Sequence, residues 1–560
     1  MMFKIQIDSN RDGQLGPVDV AGRNWRWGAG EPGAVLVANN DRERGEHLPS
    51  ASGASELAPL YIEYQGPLEN GVHSVHLMAT GNSAHRFTVY RVDQEERLQR
   101  VLGADPAGKA PPTVLSEPLG TEGESLLVEA REIPGPGFEG LITLEAVVLD
   151  SATQRVLDID YVVFRVAPWI MTPNTQAPVR VFAVELTDRA GETTNGAFLQ
   201  GLSSACQEAQ VPLTVIKGAD YSPGRQDRWI QDEIEFGYCQ GATHTIPVVF
   251  DSPRDRGLDD FPERELLGVD FGHFGVTGYN VNSLDSFGNL EVSPPVTVDG
   301  RHYPFGRIVF GGKAFTDYGP QSRQMMPTLR RFLYAQKVQS PIEVFSDWLH
   351  VGHIDEFMNF IPDETSEKGF KLLLASPRLC LERLRALKQE GYGGAVMFQG
   401  MWRDERIQGH GWVSAEITVE RLLEDELTVS FNDACQKDIE INRKILSREL
   451  GLSEGDIIEA PVLFREYYGR ALAYFPDMVN HLVLGAFSLV PKPHGPRVNG
   501  TDVFEEMMMR ALPQGREVRF IEDWYGYHEA SGEVHCGTNT LREPFATPWW
   551  NYRPEGGFDI

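Results

Sequence analysis

Segment 228–236 combines acidic, apolar and aromatic side chains at a spacing that can do chemistry. We predict a strand here, so that consecutive side chains point to opposite faces. One face then carries the oxygen ligands that hard cations prefer. Its residues are Trp229, Gln231, Glu233 and Glu235. The other face places Asp232 among apolar neighbours, where a carboxylate is costly unless a cation pairs with it. A half-exposed edge strand with a solvated acidic face is the alternative.

A second candidate lies in segment 348–357, where His353 and Asp355 project to the same side if the chain is extended. A histidine beside a carboxylate can act as a general acid and base. His350 and His353 can instead be metal ligands, although two nitrogens alone make that pattern unspecific. A structural histidine with a satisfied hydrogen bond is the third interpretation.

The third candidate, Cys536, follows His535 in a polar turn near the C-terminus. We expect an accessible thiol, because a buried inert cysteine normally has apolar neighbours. A nearby cation or dipole would lower its pKa below the usual value of about 8.5 and make it a nucleophile. An ordinary loop cysteine fits the same residues.

Near the N-terminus, the spacing D-x-N-x-D-G matches a calcium loop, in which alternate oxygens converge and glycine permits a sharp turn. The residues are Asp8, Asn10, Asp12 and Gly13. The distal glutamate of a complete EF-hand loop is missing, but Asp41 and Glu43 can supply oxygens from another strand. A plain Asx-rich turn is the alternative.

The charge balance narrows the classes of partner. Of 560 residues, 80 are acidic and 51 are basic, which gives a formal net charge of −29. Such a surface repels phosphate backbones, so we expect no nucleic-acid partner. The N-terminus shows no apolar core of a signal peptide, and no run of about 18 apolar residues predicts a membrane span. Five widely spaced cysteines without a CxxC pair favour a reducing, cytoplasmic compartment.

The elements that must position these side chains fall into two regions. Residues 1–168 contain short β-rich runs separated by turn residues, which predicts a β-sandwich. The proline-punctuated stretch 167–175 marks the boundary. Residues 169–560 alternate strand and helix patterns and predict an α/β domain above the usual size of one core. No internal repeat is visible there.

Local signals within these regions are specific enough to test. We predict a strand at 179–186, a helix at 196–210, and a helix that ends before Gly451 as its C-cap. Segment 135–140 matches GxGxxG, but a strand pattern follows it where a dinucleotide-binding motif needs a helix. We interpret it as a turn.

Together, these segments resemble the peptidylarginine deiminase family. The matching blocks occur in family order and are 228–233, 249–254, 285–295, 351–357 and 533–539. Stretch 167–175 and the Asp8 loop also match. The resemblance implies an immunoglobulin-like β-sandwich followed by a five-bladed α/β propeller of ββαβ units, the pentein fold.

The resemblance also implies a reaction: calcium-dependent hydrolysis of peptidyl-arginine to citrulline and ammonia, with proteins or peptides as substrates. Its catalytic residues map onto Asp232, His353, Asp355 and Cys536. Two carboxylates would hold the guanidinium while the thiolate attacks and the histidine moves protons. Trp229 would pack against the arginine stem, and Arg256 would bind backbone carbonyl groups of the substrate.

Several calcium ions are implied by the same resemblance. The ligands of one ion would be Gln231, Glu235, Glu291 and the carbonyl groups of Phe287 and Leu290. Those of a second would be Glu233, Asp251, Ser252 and Asp255. Sites in the sandwich would use Asp8, Asn10, Asp12, Asp41 and Glu43, with Asp270 contributed by the second region.

Two residues depart from the family pattern. Asp255 stands where asparagine is usual, and Ala530 stands where several vertebrate members have an arginine that binds substrate. Two other functions stay open. One is a deiminase for free arginine or a small guanidine such as agmatine, and the other is a calcium-binding scaffold with an inactive site.

Overall fold

The computed structural model describes most of the chain. The described residues are 2–19, 21–38, 40, 56–66, 68–69, 71–79, 83–95, 97–104, 119, 123–222, 226–258, 260–314, 322–405, 411–554 and 556–558. The predicted ligands Asp41 and Glu43 lie outside them. Within the described ranges, no helix is both long and apolar enough to cross a membrane.

The first region is built from two packed sheets. Its strands are β1 (Phe3–Ile7), β2 (Ala34–Leu36), β3 (Ala58–Tyr64), β4 (His73–Ala79), β5 (Phe87–Val92), β6 (Leu98–Gly103), β7 (Glu124–Ala130), β8 (Leu141–Asp150) and β9 (Val156–Val166). One sheet has the order β1-β3-β7-β5-β6 and the other β2-β9-β8-β4. Leu60 and Ile62 of the first sheet share a hydrophobic core with Ile142 and Leu144 of the second, at every second position. The predicted β-rich region is thus a two-layer sandwich.

The second region holds the remaining strands and the helices. Its strands are β10 (Ile170–Met171), β11 (Pro178–Glu185), β12 (Leu213–Lys217), β13 (Ile234–Gln240), β14 (Thr245–Asp251), β15 (Gly272–Gly275), β16 (Leu290–Val292), β17 (Val296–Val298), β18 (Arg301–Tyr303), β19 (Ile308–Gly311), β20 (Ile342–Val344), β21 (Met358–Pro362), β22 (Phe370–Ser376), β23 (Val396–Met397), β24 (Trp402–Asp404), β25 (Trp412–Ser414), β26 (Ile417–Thr418), β27 (Ile457–Pro461), β28 (Phe464–Tyr467), β29 (Arg470–Ala473), β30 (Leu482–Leu484), β31 (Phe487–Pro491), β32 (Arg497–Val498), β33 (Thr501–Asp502), β34 (Glu517–Ile521) and β35 (Thr538–Arg542). Its helices are α1 (Gly196–Glu208), α2 (Ile230–Glu233), α3 (Pro327–Ala335), α4 (Pro377–Leu387), α5 (Val419–Leu423), α6 (Glu426–Leu450) and α7 (Val503–Ala511).

Five sheets of this region share one pattern. They are β12-β11-β35, β10-β13-β14-β15, β16-β19-β20, β21-β22-β27 and β30-β31-β34. In each, a central strand pairs antiparallel with one neighbour and parallel with another. Every parallel pair is joined through a helical segment, because parallel strands need a long crossover. The structure therefore contains a repeat that the sequence does not reveal.

The last strand closes the second region. β35 pairs antiparallel with β11, so that Thr538 lies opposite Ala183 and Asn539 opposite Phe182. The end of the chain thus completes the sheet that contains the first long strand of the region. Cys536, in the turn just before β35, is held in place by this closing contact.

The helix signals in the sequence agree with the structure. Helix α1 lies within the predicted 196–210, and the predicted strand at 179–186 is β11. Helix α6 ends at Gly451, whose φ of 61° is the left-handed conformation that favours glycine. Gly135 and Phe138 pair across a turn before β8, as the interpretation of the GxGxxG match requires.

The proline-punctuated stretch packs into the second region. The backbone N–H of Trp169 donates to Gln336 Oε1 at 2.9 Å, and its indole N–H donates to the carbonyl oxygen of Val248 at 3.1 Å. The indole also fills the space that a side chain at Gly237 would need, since a Cβ there would lie 2.5 Å from the ring. The boundary segment is therefore a fixed, buried element.

Candidate active site

Each of the five repeated sheets contributes a turn to one centre. Four residues stand two positions before the first residue of an antiparallel strand: Asp232 before β13, Gly288 before β16, Asn480 before β30 and Cys536 before β35. His353 and Asp355 precede β21 of the fifth sheet. The repeat thus brings together residues that are far apart in the sequence.

Asp232, His353, Asp355 and Cys536 are all buried and lie within contact distance. His353 Nδ1 is 3.3 Å from Asp232 Oδ1, and the Cys536 thiol is 3.3 Å from Asp355 Oδ2. Oδ1 of each aspartate is buried and makes no hydrogen bond within the described residues. Unpaired buried carboxylate oxygens are unfavourable, so the centre suits a cationic group.

Gly288 lets these groups pack closely against the backbone. A Cβ at this position would lie 2.5 Å from His353 Nδ1, 3.1 Å from Asp232 Oδ1 and 3.2 Å from Asp355 Oδ2. One imidazole and two carboxylates therefore converge at the backbone of Gly288. A planar guanidinium, with donors on several sides, matches such a set of acceptors.

Arg256 already places a guanidinium against Asp232. Its NH1 donates to Asp232 Oδ2 at 2.6 Å, and its Nε donates to Asp227 Oδ2 at 2.8 Å. Burial opposes the charge, but the two carboxylates raise the pKa of Arg256 above its ordinary value. Asp232 is thus placed to bind a guanidinium, and its Oδ1 lies beside Gly288.

Cys536 is buried, with only 5% of its surface exposed, so the prediction of an accessible thiol is wrong. Burial, followed by the charges of Asp355 and Asp232, raises the pKa of the thiol well above its usual value. Asn480 fixes its position: Nδ2 lies 3.2 Å from Sγ, and Oδ1 accepts the backbone N–H of Cys536 at 3.1 Å. The polar sequence neighbours did not predict this, because residues distant in sequence cover the thiol.

A cluster beside the centre gathers the predicted ligands of the first ion. A cavity of about 30 Å³ is lined by Gln231, Glu235, Glu291, His535 and Arg542, among others. Burial, followed by the charge of Glu291, raises the pKa of Glu235 to about 8, and burial also raises that of Glu291. Gln231 donates to Glu235 at 2.7 Å and lies 3.4 Å from the carbonyl oxygen of Phe287, and Leu290 begins the strand that carries Glu291. Buried carboxylates around a small polar cavity fit a hard cation.

The structure brings the predicted ligands of the second ion together less closely than those of the first. Burial, followed by the charge of Asp227, raises the pKa of Glu233 to about 8, and its Oε2 is buried without a hydrogen bond in the described structure. The Ser252 N–H donates to the Glu233 carbonyl oxygen at 2.8 Å, which places this segment alongside Glu233. Asp251 ends β14, whereas Asp255 is exposed. These residues also fit a cation, with Asp255 at the outer edge.

The N-terminal loop satisfies its own oxygens. Asp8 accepts the backbone N–H groups of Asp12 at 3.0 Å and Gly13 at 2.8 Å. The Asn10 amide donates to Asp12 at 2.8 Å. These are the bonds of an Asx-rich turn. The predicted contributor Asp270 lies 3.1 Å from His244, which lines a cavity of about 260 Å³ together with Asp8.

Comparison with known families agrees with this geometry. The model of the protein-arginine deiminase (PAD) family matches residues 156–551, and that of the protein-arginine deiminase middle domain matches residues 3–150. The chain belongs to the protein-arginine deiminase family. It is 40% identical to protein-arginine deiminase type-1 of Mus musculus, over 98% of this chain and 82% of that protein. It is 38% identical to protein-arginine deiminase type-4 of Homo sapiens, over 99% and 83%.

Among solved structures, the chain aligns in part with an agmatine deiminase of C. jejuni, 10% identical, with a TM-score of 0.37 over 67% of this chain and 96% of that one. An agmatine deiminase of Enterococcus faecalis is 11% identical, with a TM-score of 0.35 over 67% and 96%. Family membership rests on the sequence matches. By that membership the chain is an enzyme, a hydrolase of the protein-arginine deiminase type.

Two local conformations in this protein-arginine deiminase family member differ from the predictions. Segment 228–236 is not one strand: Ile230–Glu233 forms a helical turn, and β13 starts only at Ile234. Successive side chains therefore rotate by about 100°, so Asp232 and Glu233 reach different partners instead of opposite faces. His353 is extended, but Ile354–Glu356 is a 3₁₀ turn, so Asp355 reaches the site by chain curvature.

Sequence reasoning missed two residues of the site. Asn480 belongs to no recognised motif, and only its position before β30, equivalent to that of Cys536 before β35, identifies it. The sequence indicated His535 only as the residue that precedes Cys536, and predicted no role for it. Its Nδ1 lies 2.9 Å from Asp355 Oδ2 and its Nε2 3.4 Å from Glu291 Oε1. Burial would lower its pKa, but Asp355 and Glu291 raise it above the ordinary value.

Trp229 and Ala530 lie at the outer side of the thiol. The Trp229 ring packs edge-on against Tyr527, with centroids 5.6 Å apart. A Cβ at Gly532 would lie 2.6 Å from the Trp229 ring and 3.3 Å from the Cβ of Cys536, so Gly532 permits their close approach. Ala530 ends the short helix His528–Ala530 in the same segment.

Proposed function

We propose that this chain hydrolyses peptidyl-arginine to peptidyl-citrulline and ammonia, with Cys536 as nucleophile and with calcium required. The single observation that carries the proposal is the convergence of Asp232, His353 and Asp355 at the backbone of Gly288. The thiol of Cys536 contacts one of the same carboxylates at 3.3 Å. A guanidinium bound at this point would be paired with charges on both sides and would lie next to a nucleophile.

A substrate guanidinium supplies the positive charge and the hydrogen-bond donors that the centre lacks. Asp232 and Asp355 each have a buried oxygen without a hydrogen bond in the described residues, and charge-assisted hydrogen bonds from a guanidinium would satisfy both. The same positive charge opposes the negative field that raises the pKa of Cys536. Substrate binding therefore favours the thiolate at the moment when it is needed.

The steps follow from the placed atoms. The Cys536 thiolate adds to the guanidinium carbon and forms a tetrahedral adduct. His353 Nε2 lies 2.7 Å from the carbonyl oxygen of Ser283, which only accepts, so Nε2 carries a proton. Nδ1 therefore exchanges protons with the reacting groups: it accepts the thiol proton as the thiolate forms and donates it as ammonia leaves. It then takes a proton from the water that hydrolyses the thiouronium intermediate and returns it to the departing thiolate. In total, one guanidinium cation and one water give one neutral citrulline and one ammonium ion.

We assign Trp229 to the arginine stem, beside the thiol. Arg256 is the group we expect to bind backbone carbonyls of the substrate. That role requires its hydrogen bond to Asp232 to open, since one oxygen of Asp232 is now occupied by NH1. Ala530 leaves the neighbouring segment without the arginine that several vertebrate members have.

Calcium fits the two acidic sets beside the centre. Gln231, Glu235 and Glu291, with the carbonyl groups of Phe287 and Leu290, would hold one ion, and Glu233, Asp251, Ser252 and Asp255 a second. When bound, calcium removes the repulsion among these buried carboxylates and orders the turn that carries Asp232. Sites at Asp8, Asn10, Asp12 and Asp270 stay predictions.

We also infer the finer architecture. The five similar sheets support a five-bladed α/β propeller across residues 169–560, in which each blade is a ββαβ unit. The two-layer sandwich supports an immunoglobulin-like domain across residues 1–168.

The substrate class is tested by comparing N-acylated arginine amide, an arginine-containing peptide, free arginine and agmatine as substrates with calcium present. We expect citrulline, detected by mass spectrometry, in the peptide and the acylated amide, and no product with Cys536→Ala, which keeps its fold. Faster turnover of free arginine or agmatine would contradict the assigned substrate class. Activity in Cys536→Ala would remove the proposed nucleophile.

A further inference from the structure

A histidine joins the acidic residues at the end of β14. Asp251 is the last residue of β14, and His273 lies on the parallel strand β15, where it pairs with Val249. Side chains at alternate positions share a face, so Asp251 and His273 face one side. Phe250 and Phe274 face the other side, where their rings stack with centroids 4.4 Å apart. The π-helical turn Pro262–Leu266 supplies Glu263 to the first side.

The three side chains meet at one point. His273 Nε2 lies 3.8 Å from Asp251 Oδ2 and 3.7 Å from Glu263 Oε1. The three candidate ligand atoms all lie within 4.8 Å of one another. Two ligands on a tetrahedral zinc ion, with bonds of about 2.1 Å, are about 3.4 Å apart. Small side-chain movements would therefore bring all three onto one ion.

The histidine nitrogen independently indicates a ligand. Nε2 of His273 is buried and has no hydrogen-bond partner within the described residues. A nitrogen fixed between two carboxylates at distances longer than hydrogen bonds is unsatisfied by either of them. A metal ion would satisfy the imidazole lone pair and both carboxylates together.

We propose that Asp251, Glu263 and His273 form a binding site for a divalent ion of the zinc class. Calcium takes oxygen ligands, whereas imidazole suits zinc and its neighbours, so His273 separates this site from the calcium set that shares Asp251. Because one carboxylate serves both, the two ions compete for it. This competition rests on the proposed function, whereas binding of the zinc-class ion does not.

Binding is tested with cobalt(II), which reports a zinc-class site by its visible absorption. The full chain carries Cys536→Ala, so that the thiol cannot be the ligand, and is first freed of metal by a chelator. We expect one equivalent to bind with a d–d absorption band. His273→Gln should weaken binding by at least about 100-fold, since the loss of even a supporting partner costs ~10–100-fold. Equal binding in His273→Gln would overturn the site.

His302→Gln is the matched control, because His302 is an exposed histidine on β18 that contacts Thr297 of β17. It should bind cobalt like the parent. Glu263→Gln is a second probe, since Glu263 is an exposed side chain whose replacement leaves the core unchanged. It should also weaken binding while the Tm measured in chelator stays the same. A loss of binding in His302→Gln equal to that in His273→Gln would contradict the assignment.

Competition is tested in the active chain by measuring the calcium concentration for half-maximal turnover with and without zinc. Zinc should raise this concentration in the parent and in His302→Gln, and much less in His273→Gln. The same rise in all three proteins would contradict the proposal that the two ions share the Asp251 carboxylate. Cobalt binding in the Cys536→Ala chain is read without activity, so failure of the site and failure of the deiminase assignment remain distinguishable.

Discussion

The N-terminal loop and the cluster around Glu235 have the same kind of sequence, closely spaced acidic and amide residues, but different structures. In the loop, backbone N–H groups at 2.8 and 3.0 Å satisfy both oxygens of Asp8. Around Glu235, two buried carboxylates surround a small cavity, and burial raises the pKa of both. Burial raises the pKa of Asp8 as well, but its two oxygens are paired with backbone N–H groups, whereas in the second group the charges of two buried carboxylates oppose each other.

The difference shows that acidic spacing alone does not identify a functional cation site. What matters is whether the backbone at that place has spare N–H groups. The loop reverses direction and supplies them to its own side chains. Glu235 and Glu291 lie on strands β13 and β16, whose N–H groups are largely used in sheets, so these carboxylates have fewer backbone donors than Asp8. Function that depends on cations should therefore concentrate in the second group.

The largest effect should come from Asp355, at the centre beside the cluster. Asp355→Asn removes a charge that contacts Cys536 and lies beside Gly288. We expect kcat/KM to fall about 1000-fold, the size of losing one member of a buried charge pair. The control is Asp270→Asn, which changes an aspartate near the N-terminal loop. A loss below tenfold in Asp355→Asn, or equal losses in both variants, would break the comparison.

Gly288→Ala should have the next largest effect. Its methyl group would lie 2.5 Å from His353 Nδ1 and would displace the imidazole and carboxylates that converge there. We expect kcat/KM to fall about 100-fold, as for an ångström-scale displacement of reacting groups. Gly394→Ala is the matched control, since a Cβ there meets nothing within 4 Å. Normal turnover in Gly288→Ala would show that the guanidinium binds elsewhere.

A smaller effect is expected on calcium affinity, and it compares the N-terminal loop directly with the cluster around Glu235. Glu235→Gln should raise the calcium concentration for half-maximal turnover about tenfold, since ligand charge sets calcium affinity. Asp8→Asn should shift it less than about threefold, because the Asp8 oxygens already have backbone partners. Calcium titrations of turnover in both variants measure this. Equal shifts would mean that the N-terminal loop also controls activity.

The smallest effect is on stability. The pKa of Glu233 and of Glu235 is about 8 in the folded chain, against an ordinary 4.5, so the metal-free fold binds more protons than the unfolded chain between these values. Its stability should fall as pH rises from about 5 to 8, and calcium should reduce the fall. Thermal unfolding in chelator at both pH values tests this. A rising Tm over that range, or a slope unchanged by Glu235→Gln, would contradict it.

Much of the fold could be predicted where local sequence signals determine the secondary structure. Short alternating runs predicted the strands of the sandwich, and Gly451 predicted the end of α6 because only its left-handed φ closes that helix easily. The repeat of five sheets was not predictable, because each sheet pairs strands that are distant in sequence and conserves a pairing pattern instead of residues. Closure of β11 by β35 is such a pairing.

The sequence predicted which residues come together at the candidate site, but not their local structure. Motif resemblance identified Asp232, Asp355 and Cys536, and the structure brings them together. The helical turn at Ile230–Glu233 was missed because tertiary partners such as Arg256 fix it, not local propensity. Asn480 was missed because an isolated asparagine has no pattern, and burial of Cys536 was missed because its cover comes from other sheets.

The most direct test measures release of ammonia and citrulline from benzoyl-arginine amide with millimolar calcium and in chelator. Because the acidic cluster around Glu235 lies beside the centre, we predict turnover with calcium and none in chelator. Turnover in both conditions would leave a deiminase but contradict calcium control. No turnover in either, with free arginine also unchanged, would contradict the proposed activity and favour a calcium-binding scaffold with an inactive site.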